Sequence, residues 1–112
     1  MTQKINKPWG YEELIEFNKK YMFKKLFMKK GHRCSLQFHN KKKETVYVLS
    51  GKLKLILKKS NKTYSKIMTK GQSISILPKT IHRMEAISNC YYLEASTPEI
   101  SDVVRIQDDY KR

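Results

Sequence analysis

The segment from Gly31 to Gly51 constrains the fold most, because two glycines bracket two short β-favouring runs joined by the polar residues 40–43. Successive side chains of a β-strand point to opposite faces, so Gln37 and His39 share one face. If residues 40–43 reverse the chain, Glu44 begins the next strand close to both. An amide oxygen, an imidazole and a carboxylate then surround one point, and divalent metal ions bind such donors.

A fourth donor comes from the segment Gly71–His82, which reads as a turn, a strand, a break at Pro78 and a histidine opening another strand. Two neutral imidazoles, one carboxylate and one amide oxygen suit zinc, iron(II), manganese, cobalt or nickel, and they discriminate poorly among these metals. The alternative is a buried cluster in which Gln37, His39 and Glu44 hydrogen-bond one another without a metal.

The alternation of faces also predicts the surroundings of this site. Arg33 shares the face of Gln37, whereas Cys34 is out of phase and is expected to point away from the metal. Val46 shares the face of Glu44 and is expected to form part of an apolar floor beneath it.

The rest of the chain predicts an all-β domain. Short β-favouring runs recur every eight to ten residues, no helical periodicity stands out, and nine or ten strands therefore indicate a sandwich or barrel. The tail from Asp102 fits either a strand or a short helical turn. The expected strands are Glu12–Phe17, Tyr21–Met28, Cys34–His39, Thr45–Leu49, Lys52–Lys58, Thr63–Met68, Ser73–Leu77, His82–Ile87 and Tyr91–Ser96.

Composition limits the class of protein. With 112 residues, 39% of them hydrophobic, the chain is expected to form one domain with a single core. It contains no apolar run of about 18 residues and no apolar leader, so we expect no membrane span and a cytoplasmic location. Cys34 and Cys90 are expected to be reduced core residues.

The net charge of +14 admits three interpretations. The lysines fit a nucleic-acid surface, an ordinary solvated surface, or a positive field that concentrates small anions such as sugar phosphates. No nucleic-acid motif accompanies the charge, so nucleic acid is not an expected partner.

The two histidine-bearing segments resemble the two motifs of the cupin family. The first motif fits at every step of its spacing, with Gln37 in place of the first histidine; in the second, Leu77 stands at the family's proline and Lys79 at its glycine. A narrower similarity is to the cupin portion of type II mannose-6-phosphate isomerases. It is carried by Lys7–Glu12, Ser35–His39, His82-Arg83 and Val103–Tyr110.

This resemblance implies an all-β, cupin-type double-stranded β-helix, or jelly-roll barrel, with residues 1–112 forming a single cupin domain. It implies a divalent metal, zinc first among the candidates, bound by Gln37, His39, Glu44 and His82. It also implies a small anionic sugar substrate and a homodimer.

An aldose–ketose isomerase needs a base beside its metal and cationic groups for a phosphate. Glu94 is the first candidate base, with Tyr47 and His32 behind it. The candidate cationic groups are Arg33, Arg83 and Lys79. The alternatives are another metal-cupin enzyme, such as an epimerase or oxygenase, and a sugar-binding cupin without catalysis.

Overall fold

The computed structural model describes residues 2–110, and within this range it contains eleven β-strands and no helix. The predicted all-β class is confirmed. The strands are β1 Gln3–Lys7, β2 Gly10–Phe17, β3 Met22–Met28, β4 Leu36–Phe38, β5 Glu44–Ser50, β6 Leu53–Lys59, β7 Lys62–Met68, β8 Ser73–Ile76, β9 Ile81–Ala86, β10 Cys90–Ser96 and β11 Val104–Gln107.

The strands form two antiparallel sheets that enclose one core. The larger sheet has the order β1-β2-β3-β10-β5-β8, and the smaller sheet has the order β11-β4-β9-β6-β7. Strand β3 buries every second residue, as expected for a sheet with one face against a core. The buried apolar side chains include Trp9, Leu26, Met28, Val46, Val48, Leu53, Leu55, Met68, Met84 and Tyr92.

The hairpin between β6 and β7 shows how local sequence fixes strand register. Ser60 and Asn61 have φ angles of 49° and 65°, and Lys59 pairs directly with Lys62. Positive φ at both central residues defines a type I′ turn, whose twist matches that of the flanking strands. The turn consists of Ser60 and Asn61, and Lys62 already belongs to β7.

The structure corrects the expected strand Cys34–His39. Only Leu36–Phe38 is a strand, and Arg33 makes an isolated bridge with Glu85. Cys34 and Ser35 are consecutive and both buried, so the alternation of faces is broken between them. The faces assigned to Arg33 and Cys34 from a regular strand were therefore wrong.

The tail resolves as a strand rather than a helical turn. β11 pairs with β4, with Arg105 opposite Gln37. Upstream of it, the Asp102 carboxylate accepts hydrogen bonds from the backbone N–H groups of Asn40, Lys41 and Lys42 at 2.7–3.0 Å. The tail thus holds the loop between β4 and β5. Within residues 2–110, no helix is long and apolar enough to cross a membrane.

Candidate metal centre

Three side chains from the two predicted segments converge inside the barrel. His39 follows β4, Glu44 is the first residue of β5, and His82 lies near the start of β9. The Nε2 atoms of His39 and His82 lie 3.3 and 3.2 Å from Glu44 Oε1, and each side chain is at most 5% exposed. One potential ligand atom from each residue falls within 4.8 Å of the others. The structure therefore brings together three of the four residues that the sequence named as metal donors.

Backbone carbonyl groups orient both imidazoles. The Nδ1 atom of His82 lies 2.8 Å from the Thr80 carbonyl oxygen, and the Nδ1 atom of His39 contacts the Asp102 carbonyl oxygen. Because a carbonyl only accepts, each Nδ1 carries the hydrogen and each neutral ring presents an Nε2 lone pair. Metal-binding histidines are commonly oriented in this way.

The Nε2 atoms are the reason that a metal fits. Both are buried and lack a hydrogen-bond partner among the described residues, yet both face the Glu44 carboxylate. Two lone pairs beside a carboxylate oxygen repel one another unless a proton or a cation lies between them. A divalent cation satisfies all three groups at once.

The charge on Glu44 is retained in this setting. Burial alone raises the pKa of Glu44, but the close contacts with His39 and His82 and the nearby Lys42 bring it well below its ordinary value. Burial lowers the pKa of His39, and the contacts with Glu44 and the Asp102 carbonyl group outweigh this and raise it.

Gln37 lines the cavity next to the triad. It is half-buried, pairs directly with His82 across β4 and β9, and lines the same cavity as His39 and Glu44. Its Oε1 atom accepts a hydrogen bond from Ser35 Oγ at 2.5 Å. Its role as a fourth ligand stays a prediction.

His39 and Glu44 of the triad line a cavity of about 220 Å³ between the two sheets. This is several times the roughly 30 Å³ that one water occupies in the liquid, so the space suits a small molecule. Part of the lining is apolar, including Trp9, Met84 and Tyr92. Cys34 also lines it, contrary to its expected direction.

A second carboxylate lies in this cavity. Glu94, the first candidate base, is buried, and its Oε2 atom accepts a hydrogen bond from Lys42 Nζ at 3.0 Å. The same Lys42 Nζ is 3.7 Å from Glu44 Oε2. Burial and the adjacent Glu44 charge raise the pKa of Glu94 to about 7, although Lys42 opposes the shift. The structure therefore places Glu94 beside the triad.

The other two candidate bases lie outside the cavity lining. Tyr47 is 41% exposed on the outer face of β5, because it alternates with the buried Val46 and Val48. His32 is held by Tyr110, with Nδ1 2.9 Å from the tyrosine hydroxyl and the two rings stacked. Neither side chain is retained as a base.

The three predicted cationic groups also lie outside the cavity lining. Arg33 forms a salt bridge with Asp109, with its Nε atom 2.6 Å from the carboxylate. It is therefore a structural partner of a carboxylate rather than a free group for a phosphate. Arg83 is buried and donates from Nε to the Cys34 carbonyl oxygen at 3.1 Å. Lys79 is exposed in the turn before β9, where its φ of 66° shows that it adopts the backbone conformation usual for glycine.

Sequence reasoning missed four charged residues of this region. Lys42 is buried between the exposed Lys41 and Lys43, and nothing in a run of three lysines distinguishes it. Lys7 and Arg105 line the cavity from β1 and β11, and Asp102 lines it beside them. No sequence signal indicated this placement of Arg105, because the tail fitted either a strand or a helical turn and Arg105 alternates with the apolar Val104 and Ile106.

A family model described as "Mannose-6-phosphate isomerase C-terminal" matches residues 1–108. The chain belongs to this family. Its fold is the cupin jelly roll, as the resemblance implied. Among its curated relatives, mannose-1-phosphate guanylyltransferase 2 of Escherichia coli O157:H7 is 30% identical over 114 residues. That match covers 97% of this chain and 23% of the relative, so the chain spans less than a quarter of that relative's length.

Solved structures agree on the fold. CapF, the capsular polysaccharide assembling protein of Staphylococcus aureus, aligns with a TM-score of 0.82 at 14% identity, covering 96% of this chain and 34% of CapF. Oxalate decarboxylase of Bacillus subtilis aligns with a TM-score of 0.83 at 13% identity, covering 94% of this chain and 30% of the decarboxylase. At these identities the likeness concerns the fold alone.

Proposed function

We propose that this domain is a divalent-metal-dependent isomerase that interconverts the aldose and ketose forms of a phosphorylated sugar, with mannose 6-phosphate as the first candidate. The observation that carries the proposal is the convergence of two bare Nε2 atoms on the Glu44 carboxylate in the interior of the barrel. The family description supports the reaction class.

His39, Glu44 and His82 would hold the ion, with Gln37 as a further oxygen donor. Zinc is the first expectation, and iron, manganese, cobalt and nickel suit the same donors. A bound ion would supply Lewis-acid stabilisation of the negative charge that develops on a substrate oxygen during proton abstraction.

Glu94 is the proposed proton carrier. Isomerisation requires a group that takes a proton from the carbon next to the carbonyl and returns it to the neighbouring carbon. Glu94 lines the cavity and contacts Lys42, which also contacts Glu44. It is not one of the proposed metal donors, so its carboxylate is free to carry a proton. Lys42 fixes the orientation of this carboxylate and offsets the two negative charges.

Variants separate metal binding from proton transfer. Glu44→Gln and His82→Ala are expected to lose bound metal and isomerase activity together, as measured by elemental analysis and by conversion of mannose 6-phosphate to fructose 6-phosphate. Glu94→Gln is expected to keep the metal and lose turnover. Glu12→Gln, which alters another cavity carboxylate paired with Lys24 at 3.1 Å, is the matched control.

Full activity after complete removal of metal by a chelator would overturn the proposal. Binding of mannose 6-phosphate without any turnover would favour a sugar-binding cupin. Oxygen consumption or epimerisation by the metal-loaded protein would favour another metal-cupin enzyme.

We also infer a homodimer that uses the outer face of the larger sheet. Phe27 and Tyr91 form a ring pair there, and the row Lys25–Leu93–Tyr47 crosses its three central strands. These central strands present few charges although the chain carries +14, so two copies meet there with the least repulsion. Sedimentation equilibrium is expected to show a dimer that Leu93→Glu dissociates; a monomeric wild type would contradict it.

A further inference from the structure

We propose that Arg105, assisted by Lys7, binds the phosphate group of the substrate at the mouth of the cavity. The inference rests on the proposed function, because it assigns the end of the substrate that lies away from the metal. It replaces the three cationic groups that the sequence suggested.

The first argument is the register of the smaller sheet. Gln37 is directly opposite His82 on one side and Arg105 on the other, so these residues form one row across β9, β4 and β11. Directly paired residues in antiparallel strands project from the same face of a sheet. Arg105 accordingly lines the same cavity as Gln37, His39 and Glu44.

A bulge supports this placement. The register of β11 against β4 shifts between Arg105 and Gln107. Bulges re-aim the side chain next to them and are common at sheet edges beside active sites. Arg105 is also exposed, so it is open to a ligand that enters from solvent.

The second argument is the pairing of the cavity cations. Lys24 is paired with Glu12, and Lys42 with Glu94 and Glu44. Within residues 2–110, neither Arg105 nor Lys7 forms an ion pair, although both line the cavity.

These two cations are therefore available to an anion, whereas Arg33 and Arg83 are already engaged with Asp109 and with the Cys34 carbonyl group.

The chemistry of the ligand follows from the row. His82 and Arg105 are two inter-strand spacings apart, about 10 Å at about 4.8 Å per spacing. A ligand that reaches both needs its charged group several bonds away from the oxygens held at the triad. The guanidinium fork matches a phosphate bidentately. A monosaccharide phosphorylated at the end remote from its carbonyl group meets these requirements.

The test compares Arg105→Gln with Arg33→Gln, a control that removes an arginine outside the cavity lining. Isothermal titration calorimetry on the metal-loaded protein would measure binding of mannose 6-phosphate, inorganic phosphate and mannose. Arg105→Gln is expected to weaken the binding of mannose 6-phosphate about tenfold to a hundredfold, which is the effect of losing a charge-assisted hydrogen bond. Mannose binding and metal content are expected to stay unchanged, and Lys7→Gln is expected to have a smaller effect of the same kind.

Wild-type affinity of Arg105→Gln for mannose 6-phosphate, or an equal loss in Arg33→Gln, would overturn the assignment. So would a wild-type protein that binds neither phosphate compound. Phosphate-dependent binding that requires Arg105 in a protein without isomerase activity would support the subsite and reject the isomerase. The two proposals therefore fail separately.

Discussion

Replacing Lys42 by methionine is expected to destabilise the metal-free protein by about 3 kcal/mol. Lys42 Nζ is 3.0 Å from Glu94 Oε2 and 3.7 Å from Glu44 Oε2, and all three side chains are less than 10% exposed. At an effective dielectric constant of about 20, each contact corresponds to roughly 5 kcal/mol of attraction before desolvation. Removing one partner of a buried ion pair costs about 3–5 kcal/mol of unfolding free energy. Without Lys42, one of the two carboxylates can take up a proton, which removes a buried charge and keeps the cost near the lower value.

Urea unfolding in the presence of a chelator measures this loss. For an m-value of about 1.5 kcal/mol/M, a loss of about 3 kcal/mol lowers the unfolding midpoint by about 2 M. The control is Lys24→Met, which breaks one contact, Lys24–Glu12 at 3.1 Å in the same cavity, and is expected to cost clearly less than Lys42→Met, which breaks two. A saturating divalent metal is expected to restore part of the stability of Lys42→Met, because the ion supplies positive charge beside Glu44. Equal midpoints for the two variants, or no effect of metal on Lys42→Met, would refute this reasoning.

Three further predictions concern the backbone around the site. The N–H groups of residues 41, 40 and 42 lower the pKa of Asp102 from 3.8 to about 2, so its charge stabilises the fold above pH 4 and this contribution is lost as the pH falls toward 2. The difference in urea midpoint between wild type and Asp102→Asn is expected to shrink over that range; a constant difference would argue against it. Gly51→Ala is expected to destabilise the protein clearly more than Gly31→Ala in thermal unfolding, because both have φ near +85° but only the Gly51 methyl group would lie 2.2 Å from the Asn89 carbonyl oxygen. Lys79→Gly is expected to raise the melting temperature slightly, since it relieves up to about 1 kcal/mol of left-handed strain; a lower melting temperature would contradict this.

The parts of the site that the sequence predicted are those that short-range patterns determine. Glu44 opens a strand whose alternating burial continues through Val46 and Val48, so its inward direction follows from local periodicity. His39 and His82 each lie beside a strand and within a motif of fixed spacing. The convergence of His39, Glu44 and His82 was accordingly predictable although these residues are up to 43 positions apart.

The parts that were missed depend on contacts between distant segments. Arg33 turns outward because Asp109, 76 positions later, binds it. Cys34 points inward, where its Sγ atom accepts a hydrogen bond from the Met84 backbone N–H group, 50 positions later, at 3.3 Å. Lys42 is buried by its contact with Glu94, 52 positions away. Local sequence patterns do not reveal contacts between residues that are 50 or more positions apart. The tail that contains Asp109 also had no predicted structure.

The most direct test of the metal centre is the metal content of the purified protein after dialysis against one divalent metal, compared among wild type, His82→Ala and His32→Ala. His32 lies outside the cavity lining, so it controls for the loss of any histidine. The account predicts about one ion per chain in wild type and His32→Ala and almost none in His82→Ala. An unchanged metal content in His82→Ala, or a wild type that retains no ion, would contradict it.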